Sequence, residues 1–195
     1  MPAAVPRLPF PRRALRAYLR QGGLIAYATQ AVFGLGCDPR SALGLKRLRA
    51  LKQRPLQKGF IVIADTPQRL ARLHQPLPAT LQARCLSRWP GPHTWLMPAA
   101  KGVPPALRGR SRPQGGPARI ALRVDAHPDA VALCRALRMA LVSTSANPAG
   151  KRPFRHTRPC QQRWPGRVWV IPGRVRARAR PSTIADLLSG QVYRP

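Results

Sequence analysis

Tyr27-Ala-Thr-Gln-Ala-Val-Phe-Gly-Leu-Gly-Cys-Asp38 decides how this chain is read. It continues an apolar strand, Leu24-Ile-Ala-Tyr27, and changes at once to hydroxyl and carboxamide side chains at Thr29 and Gln30. Gly34 and Gly36 carry no Cβ, so backbone can approach backbone or ligand closely there. Polar side chains at the end of an apolar strand are what an α/β sheet offers a ligand.

Two later segments share this construction. In Leu51-Lys-Gln-Arg-Pro-Leu-Gln-Lys-Gly59, Pro55 biases Arg54 away from helical geometry, so a helix ends there. Lys52 and Arg54 can converge where that helix breaks, and the planar guanidinium fork suits phosphate. Lys58 adds a third cation beside Gly59. The same residues also read as solvated surface charge; what sets them apart is their place between a helix and a buried strand. Ser143-Thr-Ser-Ala-Asn147 follows apolar Leu141-Val142, so its hydroxyls and carboxamide can donate to phosphate or read a base or ribose. It reads equally as a hydroxyl-rich turn that caps itself.

Outward from these segments, helical and extended patterns alternate along the chain. Helices are expected over 11–21, from a Ser41 cap to Leu51, shortly after Asp65 or Thr66 as caps, from Pro78 to Ser87, and over 128–138. Strands are expected at 24–27, 60–64, 93–97, 120–124 and 141–142, and the apolar stretches 168–171 and 183–188 complete the set of elements without a type of their own. Residues 101–116 read as a Gly/Pro/Arg-rich loop. The 195 residues, 44% hydrophobic and without an internal repeat, suffice for one mixed α/β domain over 11–195, preceded by a disordered Pro/Arg-rich tail at 1–10. Residues 1–20 are also Arg-rich and acid-free in the manner of a transit peptide.

Thirty-five Lys and Arg face five acidic residues, all Asp, giving a formal net charge of +30. This excess points to an anionic substrate or partner, or to biased composition without an adaptive role. The four cysteines are far apart and form no C-x-x-C pair or zinc spacing, so reduced thiols and a cytoplasmic setting are expected. No apolar run approaches the roughly 20 residues that span a bilayer. The P-loop, the dinucleotide fingerprint and the nucleophile elbow are all missing. His93 and His127 read as structural.

Six ordered segments together resemble the YrdC-like family: residues 26–39, 51–59, Gly91-Pro-His-Thr-Trp-Leu-Met-Pro98, residues 120–128, Val142-Ser-Thr-Ser-Ala-Asn147 and Pro181-Ser-Thr-Ile184. The resemblance implies a twisted mixed sheet with flanking helices around a deep basic groove. It also implies a nucleotidyltransferase that condenses L-threonine, bicarbonate and ATP into threonylcarbamoyl-adenylate and releases pyrophosphate. Downstream transfer proteins would carry the group to tRNA. Mg2+ would arrive on the ATP phosphates, since the chain offers few carboxylates for a protein cage; no metal site is assigned.

By that resemblance Lys52 and Arg54 are the catalytic phosphate contacts. Ser143, Ser145, Asn147 and Arg194 complete an ATP site, and Thr29, Arg123 and Ser182 surround L-threonine, with Arg123 placed to pair its carboxylate. The chain departs from many relatives at Ala28-Thr29-Gln30, where they carry Pro-Thr-Glu. In the longer branch of the family a His stands where this chain has Ile63. The competing reading is a non-catalytic RNA-binding or ribosome and tRNA maturation factor. Arg108-Gly-Arg-Ser-Arg112 and residues 174–180 would supply its phosphate contacts, and Trp89, Trp95, Trp164 and Trp169 its stacking surfaces.

Overall fold

A computed structural model describes residues 11–108, 116–175 and 179–195 of the chain. The tail expected at 1–10 and parts of both Arg-rich stretches lie outside the described residues. In chain order the elements begin with α1 (Arg12–Arg20), β1 (Ile25–Ala28), β2 (Phe33–Gly36), α2 (Ala42–Lys52) and β3 (Ile61–Ala64). Then follow α3 (Ala79–Leu86), β4 (His93–Pro98), α4 (Pro105–Arg108), β5 (Arg119–Val124), α5 (Pro128–Leu137) and β6 (Leu141–Ser145). The last are α6 (Thr157–Arg163), β7 (Trp169–Val170), β8 (Thr183–Asp186) and β9 (Val192–Arg194).

The strands form one mixed sheet in the order β7-β1-β2-β6-β3-β5-β4-β8-β9. β3 runs parallel to β5, β4 parallel to β8 and β1 parallel to β7; the other neighbours are antiparallel. Successive side chains alternate faces, so the apolar runs read in the sequence feed two cores at once. On one face, Ile25, Tyr27, Ile63 and Leu141 meet Leu15 and Leu19 of α1 and Leu133, Cys134 and Leu137 of α5. On the other, Ala26, Phe33, Leu35, Val62, Leu122 and Val142 join Leu45, Leu48 and Leu51 of α2.

Local chemistry sets the helix ends. Ser41 caps α2 as expected, its Oγ accepting from the Gly44 backbone N–H at 3.1 Å; such a cap contributes about 1 kcal/mol. α2 ends at Lys52, and Gln53 takes a left-handed conformation with φ 47° before the chain turns toward Pro55. After Asp65 the expected helix is instead a pair of short 3-10 turns, Pro67–Arg69 and Ala71–Leu73, and neither Asp65 nor Thr66 caps it through its side chain. The Asp65 carboxylate turns to Arg69 and Arg135, where a nearby guanidinium outcompetes the backbone N–H.

Four elements were not expected from the sequence. β2 contains two glycines in four residues, which removes the side-chain pattern of a strand; the pairing Ile25 to Gly36 and Ala28 to Phe33 forms it regardless. Gly36 is required there, because a Cβ would stand 2.2 Å from the Val142 carbonyl oxygen. α4 is a single turn inside the segment read as loop, α6 carries Pro159 in the first of its two turns, and β9 is three residues of edge strand with Val192 and Tyr193 exposed.

Candidate active site

Residues directly opposite one another in a sheet share a face, so the strand register states what the open part of the sheet presents. Gly34 pairs with Ser145, Ile61 with both Ser143 and Ala121, Ala121 with Leu96, and Ile63 with Arg123. At the far side Ile184 pairs with Arg194. Where α1 and α5 do not cover this face, it forms the floor of a groove of about 820 Å³. Among the described residues its lining includes Arg54, Lys58, Arg108, Arg119, Arg123, Arg180 and Arg194 and contains no carboxylate.

Thr29 lies at the β1 end of the groove, buried, its Oγ1 donating to the Val32 carbonyl at 2.7 Å. Gln30 lines the wall beside it. This turn between β1 and β2 opens directly toward the end of β6, where Ser143, Ser145 and Asn147 also line the groove. Asn147 Nδ2 donates to the Pro148 carbonyl at 3.0 Å and to that of Lys151, while its buried Oδ1 has no partner. The Asn147 side chain is thus fixed by its amide and keeps an acceptor free.

Arg54 stands in the wall with its Nε and Nη2 on the Gly59 carbonyl at 2.9 and 2.5 Å and its guanidinium 5.0 Å from the centre of the Phe60 ring. Burial, then the charge of Arg49, pushes its pKa down. Lys52 is not among the lining residues. It is 8% exposed, and its ammonium donates to the Ser145 carbonyl at 2.8 Å and to the Asn147 carbonyl. Burial, followed by Arg54, lowers its pKa to about 8. Lys52 therefore ties the end of α2 to the end of β6 and sets the backbone from which Ser145 and Asn147 project.

The other end of the groove holds Arg123, Ser182 and Arg194. Arg123 Nη2 donates to Asp125 Oδ2 at 2.5 Å, and its buried Nε has no partner. Arg194 donates from Nε to the Ser182 carbonyl at 2.8 Å and from Nη2 to Ser182 Oγ at 3.0 Å; Ser182 Oγ lies 3.0 Å from Thr94 Oγ1. Burial, then the nearby Arg123 charge, lowers the Arg194 pKa. The Arg123 guanidinium and that of Arg194, facing a part of the groove lined by no carboxylate among the described residues, favour a carboxylate or phosphate between them.

Of the residues expected at the site, Thr29, Arg54, Arg123, Ser143, Ser145, Asn147, Ser182 and Arg194 all line this one groove, and Lys52 supports it from outside. Arg119 was not foreseen. It shares a face with Ala121 and Arg123 by strand alternation, a two-residue period visible in Arg119-Ile-Ala-Leu-Arg123, and its Nε donates to Asp186 Oδ2 at 2.8 Å. Burial alone would raise the Asp186 pKa, but bonds from Arg119 and from the Ser189 and Leu188 N–H groups hold it below the usual range. Arg108 and Arg180 were read only as members of Arg-rich stretches, and both line the groove.

His93 and His127 stand outside the lining, consistent with structural roles; His93 packs on Trp95 with ring centres 4.1 Å apart. Trp89, Trp95 and Trp164 are buried, and Trp169 packs edge-on against Tyr18, so these indoles serve the core and its rim rather than a stacking surface. No group of three His, Cys, Asp or Glu among the described residues is placed to hold a metal ion. No helix among them is long and apolar enough to cross a membrane.

This chain is 49% identical over 183 residues to a threonylcarbamoyl-AMP synthase of Methylobacillus flagellatus, covering 94% of this chain and 98% of that protein. The protein of the same name from Chromobacterium violaceum is 48% identical over 192 residues, covering 97% and 96%. Among solved structures, P. abyssi Sua5 complexed with L-threonine superposes with a TM-score of 0.78 at 26% identity; the match covers 93% of this chain and 52% of that one, so this chain spans about half its length. E. coli YciO shares the fold, with a TM-score of 0.77 at 23% identity over 94% of this chain and 89% of its own. Residues 17–195 match the Sua5/YciO/YrdC model, described as telomere recombination, and the chain belongs to that family.

Proposed function

We propose that this chain is a threonylcarbamoyl-AMP synthase, an enzyme that joins L-threonine, bicarbonate and ATP and releases pyrophosphate in the service of tRNA modification. The carrying observation is the single groove lined by Arg54, Ser143, Ser145 and Asn147 at one end and Arg123, Ser182 and Arg194 at the other. Relatives of nearly equal length bearing that activity in their names support it.

In the proposed reaction the threonine amine and bicarbonate form a carbamate with loss of water. A carbamate oxygen then attacks the α-phosphorus of ATP, and the bond to the bridging oxygen breaks to release pyrophosphate. No step needs a buried acid/base pair; the demands are alignment of reactants and neutralisation of phosphate charge. Arg123, with Arg194 beside it, takes the threonine carboxylate, and Thr29 and Ser182 supply hydroxyls to the same substrate. Arg54, Ser143, Ser145, Asn147 and Arg194 receive the nucleotide and its phosphates, while Lys52 holds the β6 end in register.

The groove offers donors for anions and no carboxylates for a cation, so Mg2+ enters bound to the ATP phosphates and completes its shell with water. Cytoplasmic placement follows from the substrates, and proteins that transfer the threonylcarbamoyl group act downstream. RNA can associate through the basic surface, and such binding should collapse with rising salt faster than turnover does. The reading is tested by pyrophosphate release in the presence and absence of L-threonine, with the adenylate identified by mass. Pyrophosphate release independent of threonine, or no adenylate from folded protein, would refute it.

A further inference from the structure

The three central strands have a second polar end. The groove takes the start of β2, the start of β3 and the end of β6; at the opposite ends of the same strands lies a cleft of about 570 Å³. Asp38, Pro39 and Arg40 enter it after β2, Thr66, Arg69 and Arg72 after β3, and Arg138 before β6, while Arg16 reaches it from α1; Asp38, its one carboxylate among the described residues, is taken up by Arg40. Five arginines, Arg16, Arg40, Arg69, Arg72 and Arg138, thus converge on a space unconnected with the substrates proposed above.

Among the described residues, two of these arginines have a carboxylate partner and three do not. The chain's only acidic residues are Asp38, Asp65, Asp125, Asp129 and Asp186. Asp38 accepts from Arg40, and Asp65 is held by Arg69 and Arg135. Asp125 is engaged by Arg123 and the His127 N–H, Asp129 by the Arg174 N–H, and Asp186 by Arg119. Around the cleft this leaves Arg16, Arg72 and Arg138 without a carboxylate, and the buried Arg16 Nε without any acceptor. A buried donor with no partner carries a desolvation penalty that a bound oxyanion removes.

We infer that this cleft is a second anion site that binds a chain of phosphate groups. Several guanidinium forks carried by separate segments around one cleft match consecutive phosphates better than one isolated anion. The shared chemistry occurs in a free oligophosphate and in a nucleic-acid backbone.

The test is calorimetric titration of the full chain with inorganic tripolyphosphate at about 0.15 M salt, where long-range attraction is screened. Anisotropy with a duplex RNA of about 20 base pairs runs alongside it. A variant carrying Arg16→Gln, Arg72→Gln and Arg138→Gln is compared with a charge-matched control carrying Arg20→Gln, Arg88→Gln and Arg158→Gln, all exposed and outside both cavities. The inference expects the cleft variant to lose one tripolyphosphate equivalent, or at least roughly tenfold in RNA affinity, with threonine-dependent turnover unchanged and the control unaffected. Loss of the tripolyphosphate equivalent alone identifies a free oligophosphate as the ligand, and loss of RNA affinity alone a nucleic-acid backbone. Equal losses in both variants, or none in either, would overturn it. The exposed Arg72→Gln change alone, which leaves the packing untouched, should give a smaller loss in the same direction; no change there and in the triple variant counts against the site.

Discussion

Lys52 Nζ lies 2.8 Å from the backbone carbonyl oxygen of Ser145, 93 positions further along the chain. The contact joins the last residue of α2 to the last residue of β6, so the two segments that carry the expected nucleotide contacts are placed by one ammonium. Replacing Lys52 with Met keeps the volume and removes the donor, leaving two carbonyls short of a partner. Stability should fall by about 1–3 kcal/mol in denaturant unfolding, and turnover should be lost in protein that remains folded. Wild-type turnover in Lys52→Met would remove Lys52 from any role at the site.

The same ammonium has a testable pH signature. Burial, reinforced by Arg54, brings its pKa from 10.5 down to about 8. Below pH 8 both the folded and unfolded chains carry this proton, and the group adds no pH dependence. Between 8 and 10.5 the unfolded chain holds a proton that the folded chain has released, so through this group stability rises with pH. Unfolding of wild type referenced to Lys52→Met, from about pH 7 to about pH 10, should show the wild type gaining only in the upper interval. A wild-type advantage that shrinks with rising pH would mean that the two carbonyls hold the ammonium charged against its burial.

Arg54 should not tolerate lysine. Its fork spans the Gly59 carbonyl and its plane lies over Phe60, a pose an ammonium cannot reproduce. Arg54→Lys and Arg54→Ala should both raise the KM for ATP by roughly tenfold or more, a loss of about 1.5–3 kcal/mol for charge-assisted bonding. Full rescue by lysine would show that only the charge matters.

Arg123 should govern threonine rather than ATP. Arg123→Lys is expected to raise the threonine KM roughly tenfold with little effect on the ATP KM, because a bidentate carboxylate contact becomes a point contact. Asp125→Asn weakens the contact that orients Arg123 and should move the same constant in the same direction by a smaller factor. Equal effects on both substrates would place Arg123 at the nucleotide instead.

Gly36→Ala tests the sheet beneath the site. The added methyl would stand 2.2 Å from the Val142 carbonyl oxygen and 2.9 Å from the Tyr27 ring, both in the buried centre. Overpacking of this kind costs about 1–3 kcal/mol, and a backbone oxygen cannot swing aside as a side chain can, so the upper end is expected. An unchanged unfolding midpoint would contradict the close approach of β2 and β6.

What the sequence revealed of this molecule followed from local pattern. Phe60-Ile-Val-Ile-Ala64 announced a strand covered on both faces, and Leu45, Leu48 and Leu51 the buried side of α2. β2 stayed hidden because Gly34 and Gly36 have no side chains to alternate, and β9 because its three residues bury almost nothing. The site residues were legible as three polar segments at strand and helix ends. The placement of Lys52 was not, because one cation among 35 carries no local mark of burial; its partners are carbonyls from β6, which only the folded chain brings near. Arg119 was legible in principle, since it repeats the position of Arg123 two side chains earlier on the same face of β5.

The reaction proposed for this groove joins a threonine-derived carbamate to the α-phosphate of ATP. That reaction is read out by pyrophosphate release from the purified chain with ATP, Mg2+ and bicarbonate, with and without L-threonine, and by identification of the product by mass. Release should depend on threonine, with threonylcarbamoyl-adenylate as the product. Folded protein that binds ATP and threonine yet yields no adenylate would contradict it.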